Sequence, residues 1–554
     1  MLKKAAIFAL SSLPVLFFFW YLWRFSTPFP NEDDIPAILA FINRAFPFTD
    51  ESWRLLFVPF REHVILPAKI IAYFQVLFTG SMNLKAMILL GNLFWVRVLW
   101  LLYIVTKAAK IPLFLFLPVP FIFFQVQFSE TALWPMALWS NLIVVWLAVE
   151  SLNLLISARQ EFWRFGLAFF LALAATFSNG NGLLVLIIGF AVLLLQRAET
   201  RRIFLWLSFS AVSIAGYLWA KSLGIPDHQY GVQPNPVKWF LGCMIFIGNY
   251  GDFVPGSLRN LALFLGFVLT TVLLSINFLQ IRKGNYFTSL YFKLSAFFLF
   301  IIMTAAAVAL LRTEPVGLEA MYLGRYRHYS ALAVSIVYIT CLYYLYPRRQ
   351  AQWLFYFTLP LSILVGILSY YKDWGYRYMD NQRFFTDAYN MKYNNTLYVE
   401  KKDQMAFPKI FRETLDKNLL NTGETQSVGK IADWLTPPAD ALVISTTFQT
   451  NTSTDTSGCS KVYTVESEHP TFQLGEEEMW IWMLKNDAHS YLYPSISIKT
   501  KPSQLVRNFA YFKPGFVGEI AACRLPKGIY HLFLVNISKK NSVRFYRTNR
   551  TIDI

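Results

Sequence analysis

Three groups of ionisable residues lie at the ends of apolar runs, where a chain that only spanned a bilayer would have no use for them. The first is Asn31-Glu32-Asp33-Asp34. Three adjacent carboxylates repel one another, so at least one should hold its proton more tightly than usual. That suits a general base or a cation site. The same residues also fit an acidic turn before a helix, with Pro36 just inside the helix start. The second group is Arg61-Glu62-His63, ahead of an apolar run broken by Pro67, Lys69 and Gln75. It reads either as a substrate contact or as a solvated interface end. The third is Arg312 with Arg325-Tyr326-Arg327-His328-Tyr329. Arginines and a tyrosine so grouped can grip a phosphate, bidentately from the guanidinium. Their alternative is charge placement at headgroup level. Two shorter turns, Gln127-Phe128-Ser129-Glu130 with Trp134 and Ser178-Asn179-Gly180-Asn181-Gly182, read first as tight turns.

The elements that hold these groups follow from composition. The chain has 554 residues, 55% hydrophobic and 18% aromatic with 15% charged, and a mean hydropathy of +0.41. This excludes a disordered, collagen-like or ordinary soluble chain and requires many membrane spans. About eleven runs approach the length that crosses a bilayer: 5–24, 84–106, 111–127, 131–156, 163–178, 182–196, 203–222, 257–281, 288–311, 328–346 and 352–371. The first follows Lys3-Lys4 and reads as a retained signal anchor. The run 64–80 reads as a re-entrant or interfacial helix, and 35–46 has the spacing of a helix lying flat on the membrane.

Charge assigns the sides. The net charge of +17 would suit a nucleic-acid partner, but the excess lies in the apolar part. Residues 1–371 hold 27 Lys/Arg and 14 Asp/Glu, whereas 372–554 hold 23 and 19. Connections bearing Lys107, Lys110, Arg197, Arg201, Arg202, Arg282, Lys283, Arg348 and Arg349 alternate with connections bearing 11 of those 14 acids. The positive-inside rule makes the first set cytoplasmic. An odd number of spans then puts the tail outside. Within the bilayer, Arg97 and Glu150 both fall roughly 10–14 Å deep, and a pair is expected because an isolated charge there is costly.

After Tyr371 the composition turns polar. Stretches at 441–448, 492–498, 516–523, 529–536 and 542–546 read as strands and 408–420 as a helix. The expectation is a transmembrane domain over 1–371, with a first outer loop over 25–83, and a soluble, mostly β (α+β) domain over 372–554, sandwich-like. Cys243 and Cys341 read as packing residues. Cys459 and Cys523 are able to pair if the tail is in an oxidising compartment.

The pattern resembles the GT-C class of polytopic glycosyltransferases, which use polyprenyl-phosphate-linked sugars. The resemblance covers about residues 1–345 and rests on several features: Asp33-Asp34 after the first span, Glu62-His63 before an apolar helix, Glu130 with Trp134, the 178–182 turn, and Arg325-Tyr326 before a late span. It implies a bacterial cytoplasmic (inner) membrane enzyme with its N-terminus cytoplasmic and its C-terminal domain periplasmic or extracellular. That enzyme would move a hexosyl or pentosyl unit, with inversion, from a polyprenyl-phosphate donor to an envelope glycan, lipid or protein. Asp34, Asp33 and Glu32 would supply the base. Glu62, His63, Glu130, Arg312, Arg325, Tyr326, Arg327 and His328 would bind substrate. The class also allows a divalent metal, for which the sequence offers no ligand set. No nucleotide-binding motif is present, and no nucleic-acid partner is expected. Two other readings share the stage: an O-antigen ligase or polymerase, which usually carries its main outer loop late in the chain, and a transporter of lipid-linked sugars, which commonly shows matching halves.

Overall fold

The computed structural model describes residues 2–157, 161–224, 235–253, 258–284, 286–397, 406–423, 435–438, 441–444, 446–451, 462–467, 478–500, 511–521, 525–538 and 542–554. Cys459 and Cys523 lie outside the described residues, and Cys243 and Cys341 are free thiols. The residues fall into two compact units. The first comprises Met1–Ser26, Arg44–Phe78 and Lys85–Asp373; the second comprises Thr27–Asn43, Thr79–Leu84 and Trp374–Ile554.

The first unit carries the membrane spans. Among the described residues nine helices are long and apolar enough to cross a membrane, from Ala5–Phe25 to Ala351–Asn394. The chain is a polytopic membrane protein. Two runs expected as spans are shorter. Phe162–Thr176 has 15 residues and Leu183–Leu195 has 13. At 1.5 Å per residue these reach roughly 20–22 Å, short of a hydrocarbon core about 30 Å thick. The turn between them explains the shortfall. A Cβ on Gly182 would stand 1.9 Å from the Ala175 carbonyl oxygen, so a glycine is required for the chain to reverse this tightly. The expected intramembrane pair is present: Arg97 Nη2 lies 2.8 Å from Glu150 Oε1.

The first outer loop does not hold together as one piece. Its part 44–78 belongs to the first unit, and Thr27–Asn43 to the second. Residues 35–46 were expected to lie on the bilayer. Instead Ile35, Ile38, Leu39, Phe41 and Ile42 are buried in protein. Asn43 Nδ2 donates to the Ile410 carbonyl at 3.0 Å, and Phe29 meets Phe411 edge-on at 4.9 Å. The periodicity that fits a lipid surface fits a protein surface equally well.

The described residues of the second unit contain nine strands. They are β1 (Leu442–Ile444), β2 (Thr447–Asn451), β3 (Val462–Ser467), β4 (Glu478–Lys485), β5 (Ser490–Pro494), β6 (Ile496–Lys499), β7 (Phe512–Ala521), β8 (Ile529–Ser538) and β9 (Val543–Asp553). They form a sheet ordered β1-β9-β8-β4-β5 and a second ordered β2-β3-β7-β6. Tyr463, Val465, Phe516 and Ile520 from one sheet join Trp480, Trp482, Leu484, Tyr530 and Leu534 from the other in a single core, the layout of a sandwich. Two expected strands break and change sheet: 441–448 yields β1 and β2, and 492–498 yields β5 and β6. β4 carries no alternation because both its faces are buried, which hides it from a period-two reading. The helix expected at 408–420 is Phe407–Asp416.

The last long helix runs on past the expected boundary at 371, as one helix of 44 residues, Ala351–Asn394. The change at Lys372 is a change of polarity, and polar residues propagate a helix as well as apolar ones. Its terminal part lines β5. Asn390 Nδ2 donates to the Leu492 carbonyl at 2.7 Å and Asn390 Oδ1 accepts from Leu492 N at 3.0 Å. Asn394 Nδ2 donates to the Ser490 carbonyl at 2.7 Å. This covers a sheet edge that would otherwise invite pairing.

Candidate functional site

The sequence-selected residues divide between the two units. Glu32, Asp33 and Asp34 belong to the second, and all the others to the first.

In the second unit the acidic turn is built around Asp34, whose side chain is fully buried. Asp34 precedes a π-helical turn, Ile35–Leu39, with Pro36 near its start. Its carboxylate does not cap that helix. Instead Asp34 Oδ2 accepts from Asn31 N at 2.9 Å, closing the turn behind it. Glu32 lies 3.7 Å from the Arg383 guanidinium, and Asn31 Oδ1 accepts from the same guanidinium at 3.5 Å. Among the described residues no three His, Cys, Asp or Glu side chains gather as a metal site.

In the first unit the residues 60–63 form a tight hairpin. Phe60 N donates to the His63 carbonyl at 2.9 Å, and His63 N donates to the Phe60 carbonyl at 3.1 Å. Arg61 takes the left-handed conformation, φ 50°, which an L-residue adopts at some cost. The turn presents Glu62 to Arg312, with 2.5 Å between Oε1 and Nη2. Val64 is fully buried and packs with Tyr217, Ala220, Phe57 and Phe177, anchoring the hairpin. His63 reaches the 178–182 turn, where Gly180 N donates to His63 Nδ1 at 3.4 Å. A Cβ on Gly180 would stand 3.0 Å from Tyr217 Oη and 3.2 Å from His63 Nδ1, so any larger residue would crowd these two side chains.

Charge then gathers around His63. Burial pushes its proton affinity down. Glu62 opposes this, while Arg312, Lys221 and Arg325 reinforce it, and the ring ends below its ordinary value. Burial raises Glu62, but a backbone hydrogen bond and the neighbouring positive charges, Arg312 first, outweigh it, and the carboxyl ends below its ordinary value. The result is an imidazole disposed to stay neutral beside a carboxylate paired with Arg312, with the Lys221 and Arg325 charges also acting on it, an arrangement suited to holding an anion.

Arg325 sits in the short turn Gly324–Tyr326. Glu130 Oε2 accepts from Arg325 N at 3.1 Å, and Thr131 Oγ1 donates to the Arg325 carbonyl at 3.2 Å. Glu130 thus positions the arginine through its backbone. Tyr326 packs on Phe246 at 5.1 Å, with the Arg325 guanidinium 5.4 Å from its ring. Arg327 and His328 do not join the cluster. Arg327 is buried against Asp252, 3.0 Å away. His328 is fully buried; its Nε2 lies 3.1 Å from the Asn141 carbonyl, between Trp95 and Phe128.

Lys221 is isolated in sequence and carried no signal, whereas Gly180 lies in the 178–182 turn that the sequence marked only as a turn. Asn179 Nδ2 donates to Asn141 Oδ1 at 2.6 Å, and Asn181 Nδ2 to Tyr329 Oη at 2.8 Å, tying the turn into the bundle. Asp373 accepts from Tyr21 Oη at 2.9 Å and from Ser129 Oγ at 2.6 Å.

No family model matches the chain, and no curated protein or solved structure matches it either.

Proposed function

We propose that the protein is a GT-C-type membrane glycosyltransferase that moves a hexosyl or pentosyl unit, with inversion, from a polyprenyl-phosphate sugar to an envelope glycan, lipid or protein. The reading is supported above all by one observation: Arg312, Lys221 and Arg325 bear jointly on His63 beside Glu62. A cluster with this excess of cations suits the phosphate that becomes the leaving group, whose negative charge grows as the glycosidic bond breaks. The acceptor hydroxyl needs a base, and the reading assigns that role to the Glu32–Asp34 turn, with Asp34 first and Asp33 second. Arg327 and His328 are assigned to the scaffold. The protein would reside in a bacterial cytoplasmic membrane, with its N-terminus inside and its tail outside. Among the described residues nine long helices are apolar enough to span, an odd number that suits termini on opposite sides.

The test uses the full chain in nanodiscs with a panel of polyprenyl-phosphate sugars, following release of polyprenyl phosphate. Asp34→Asn is expected to abolish release while leaving expression unchanged. An active Asp34→Asn moves the base to Asp33 or Glu32, and no release with any donor sinks the reading. An O-antigen ligase or polymerase is the second reading, favoured by the meeting of His63 with the arginines. It predicts binding of a lipid-linked glycan without release from any monosaccharide donor. Binding without any turnover would instead indicate a transporter.

A further inference from the structure

The contact with Gly180 gives His63 a defined tautomer. A neutral imidazole has one N–H donor and one acceptor nitrogen. Gly180 N–H donates to Nδ1, so Nδ1 is the acceptor and the proton resides on Nε2. No partner for Nε2 is present among the described residues. The charges that act on the ring are Glu62 from its own hairpin, itself flanked by Arg61; Arg312 from Leu290–Val316; Lys221 from Thr200–Ser222, which also carries Tyr217; and Arg325 from Gly324–Tyr326. Burial first, and then the three cations against the one carboxylate, disfavour a further positive charge on the ring.

We propose that His63 is a neutral hydrogen-bond donor, its Nε2–H binding a phosphate oxygen of the lipid-phosphate ligand held by Arg312, Lys221 and Arg325, with Gly180 N–H fixing the tautomer. This rests on the lipid-phosphate reading above. His63 is then not a general base, because its one basic nitrogen is already taken by Gly180. A neutral donor adds direction at a site where charge is already in excess. Gly180 is a positioning residue, since it acts only through the ring.

The experiment uses the full chain in nanodiscs with nitrogen-15-labelled histidine. The chain has six histidines, and His63→Gln assigns the resonance. The expected spectrum shows Nε2 protonated and Nδ1 bare, unchanged from about pH 7.5 to about pH 5.5, across the range where an ordinary histidine titrates. Added polyprenyl phosphate is expected to shift the Nε2 signal. Its affinity should fall about tenfold or more in His63→Leu and stay within about threefold in His63→Gln, whose amide N–H replaces the donor. Gly180→Ala, which crowds Nδ1, is expected to disturb the tautomer in a chain that keeps His63. A proton on Nδ1, or an imidazolium near pH 7, overturns the inference even if polyprenyl phosphate binds normally. A wild-type chain that binds no polyprenyl phosphate overturns both the ligand named here and the function reading.

Discussion

Glu62 and Arg312 are the pair on which the charge balance of the site depends. The Glu62 carboxyl is held below its ordinary value, near 4.5. Such a group contributes stability that is fully present above the unfolded value and is lost as pH falls through the lower folded value. His63 is also held below its ordinary value, near 6.5. As pH falls below that value the unfolded chain takes up a proton that the folded ring refuses, and stability falls again. The first unit is therefore expected to lose stability in two steps on acidification, the upper one absent in His63→Gln and the lower one absent in Glu62→Gln. Thermal unfolding against pH checks this, and a flat profile would refute it. The sequence marked Glu62, His63, Arg312 and Arg325 because charge at span ends stands out. It could not separate Arg325 from Arg327 and His328. Those three lie within four residues, but Arg325 sits in the short turn Gly324–Tyr326 while Arg327 and His328 open the following helix, where each residue turns the side chain by about 100°, and neighbours so turned meet different surroundings. Lys221 escaped because a lone residue has no spacing, and the 178–182 turn was marked without any sign that it meets His63.

Among the elements, the helices Leu84–Ala108 and Pro135–Ser157 are joined by Arg97 and Glu150, 2.8 Å apart. Arg97→Leu, Glu150→Leu and the double variant form a cycle. A favourable coupling of about 0.6 kcal/mol is expected, typical of polar contacts inside membranes, and additive losses would mean that the pair carries no energy. On β5, Asn390 meets both the N–H and the C=O of Leu492. Asn390→Ala leaves two buried backbone groups unpaired, each worth about 1–3 kcal/mol. Chemical denaturation of the full chain should show this as a lower midpoint for the β unit, whereas Asn394→Ala, at the partly exposed end of the same helix, should cost less. The apolar periods and the turn residues made most of these helices legible. The strands were harder. β4, Glu-Met-Trp-Ile-Trp-Met-Leu-Lys, is apolar on both faces and so lacks the alternation that marks a half-buried strand.

At the scale of the whole molecule, the proposed orientation follows from basic residues on alternate connections. A reporter fused after Ile554 that is active only outside the cytosol should be active, and one that fluoresces only inside should be dark; the reverse would invert every loop assignment. Sequence by itself determined that the chain crosses a membrane repeatedly, that basic and acidic residues alternate along its connections, and that a polar β-rich tail follows, because hydropathy, charge and composition are local sums along the chain. It also determined that Arg97 and Glu150 need one another, since an unpaired charge in lipid is costly wherever the fold puts it. Only the tertiary structure decided which polar residues meet. It sent Asp34 to a turn of the second unit, sank Arg327 against Asp252, packed His328 among aromatic rings, and brought Lys221, Arg312 and Gly180 to His63 from separate elements. The physical reason is that such meetings depend on the rotation and packing of helices far apart in sequence, and neither leaves a period that can be read along the chain.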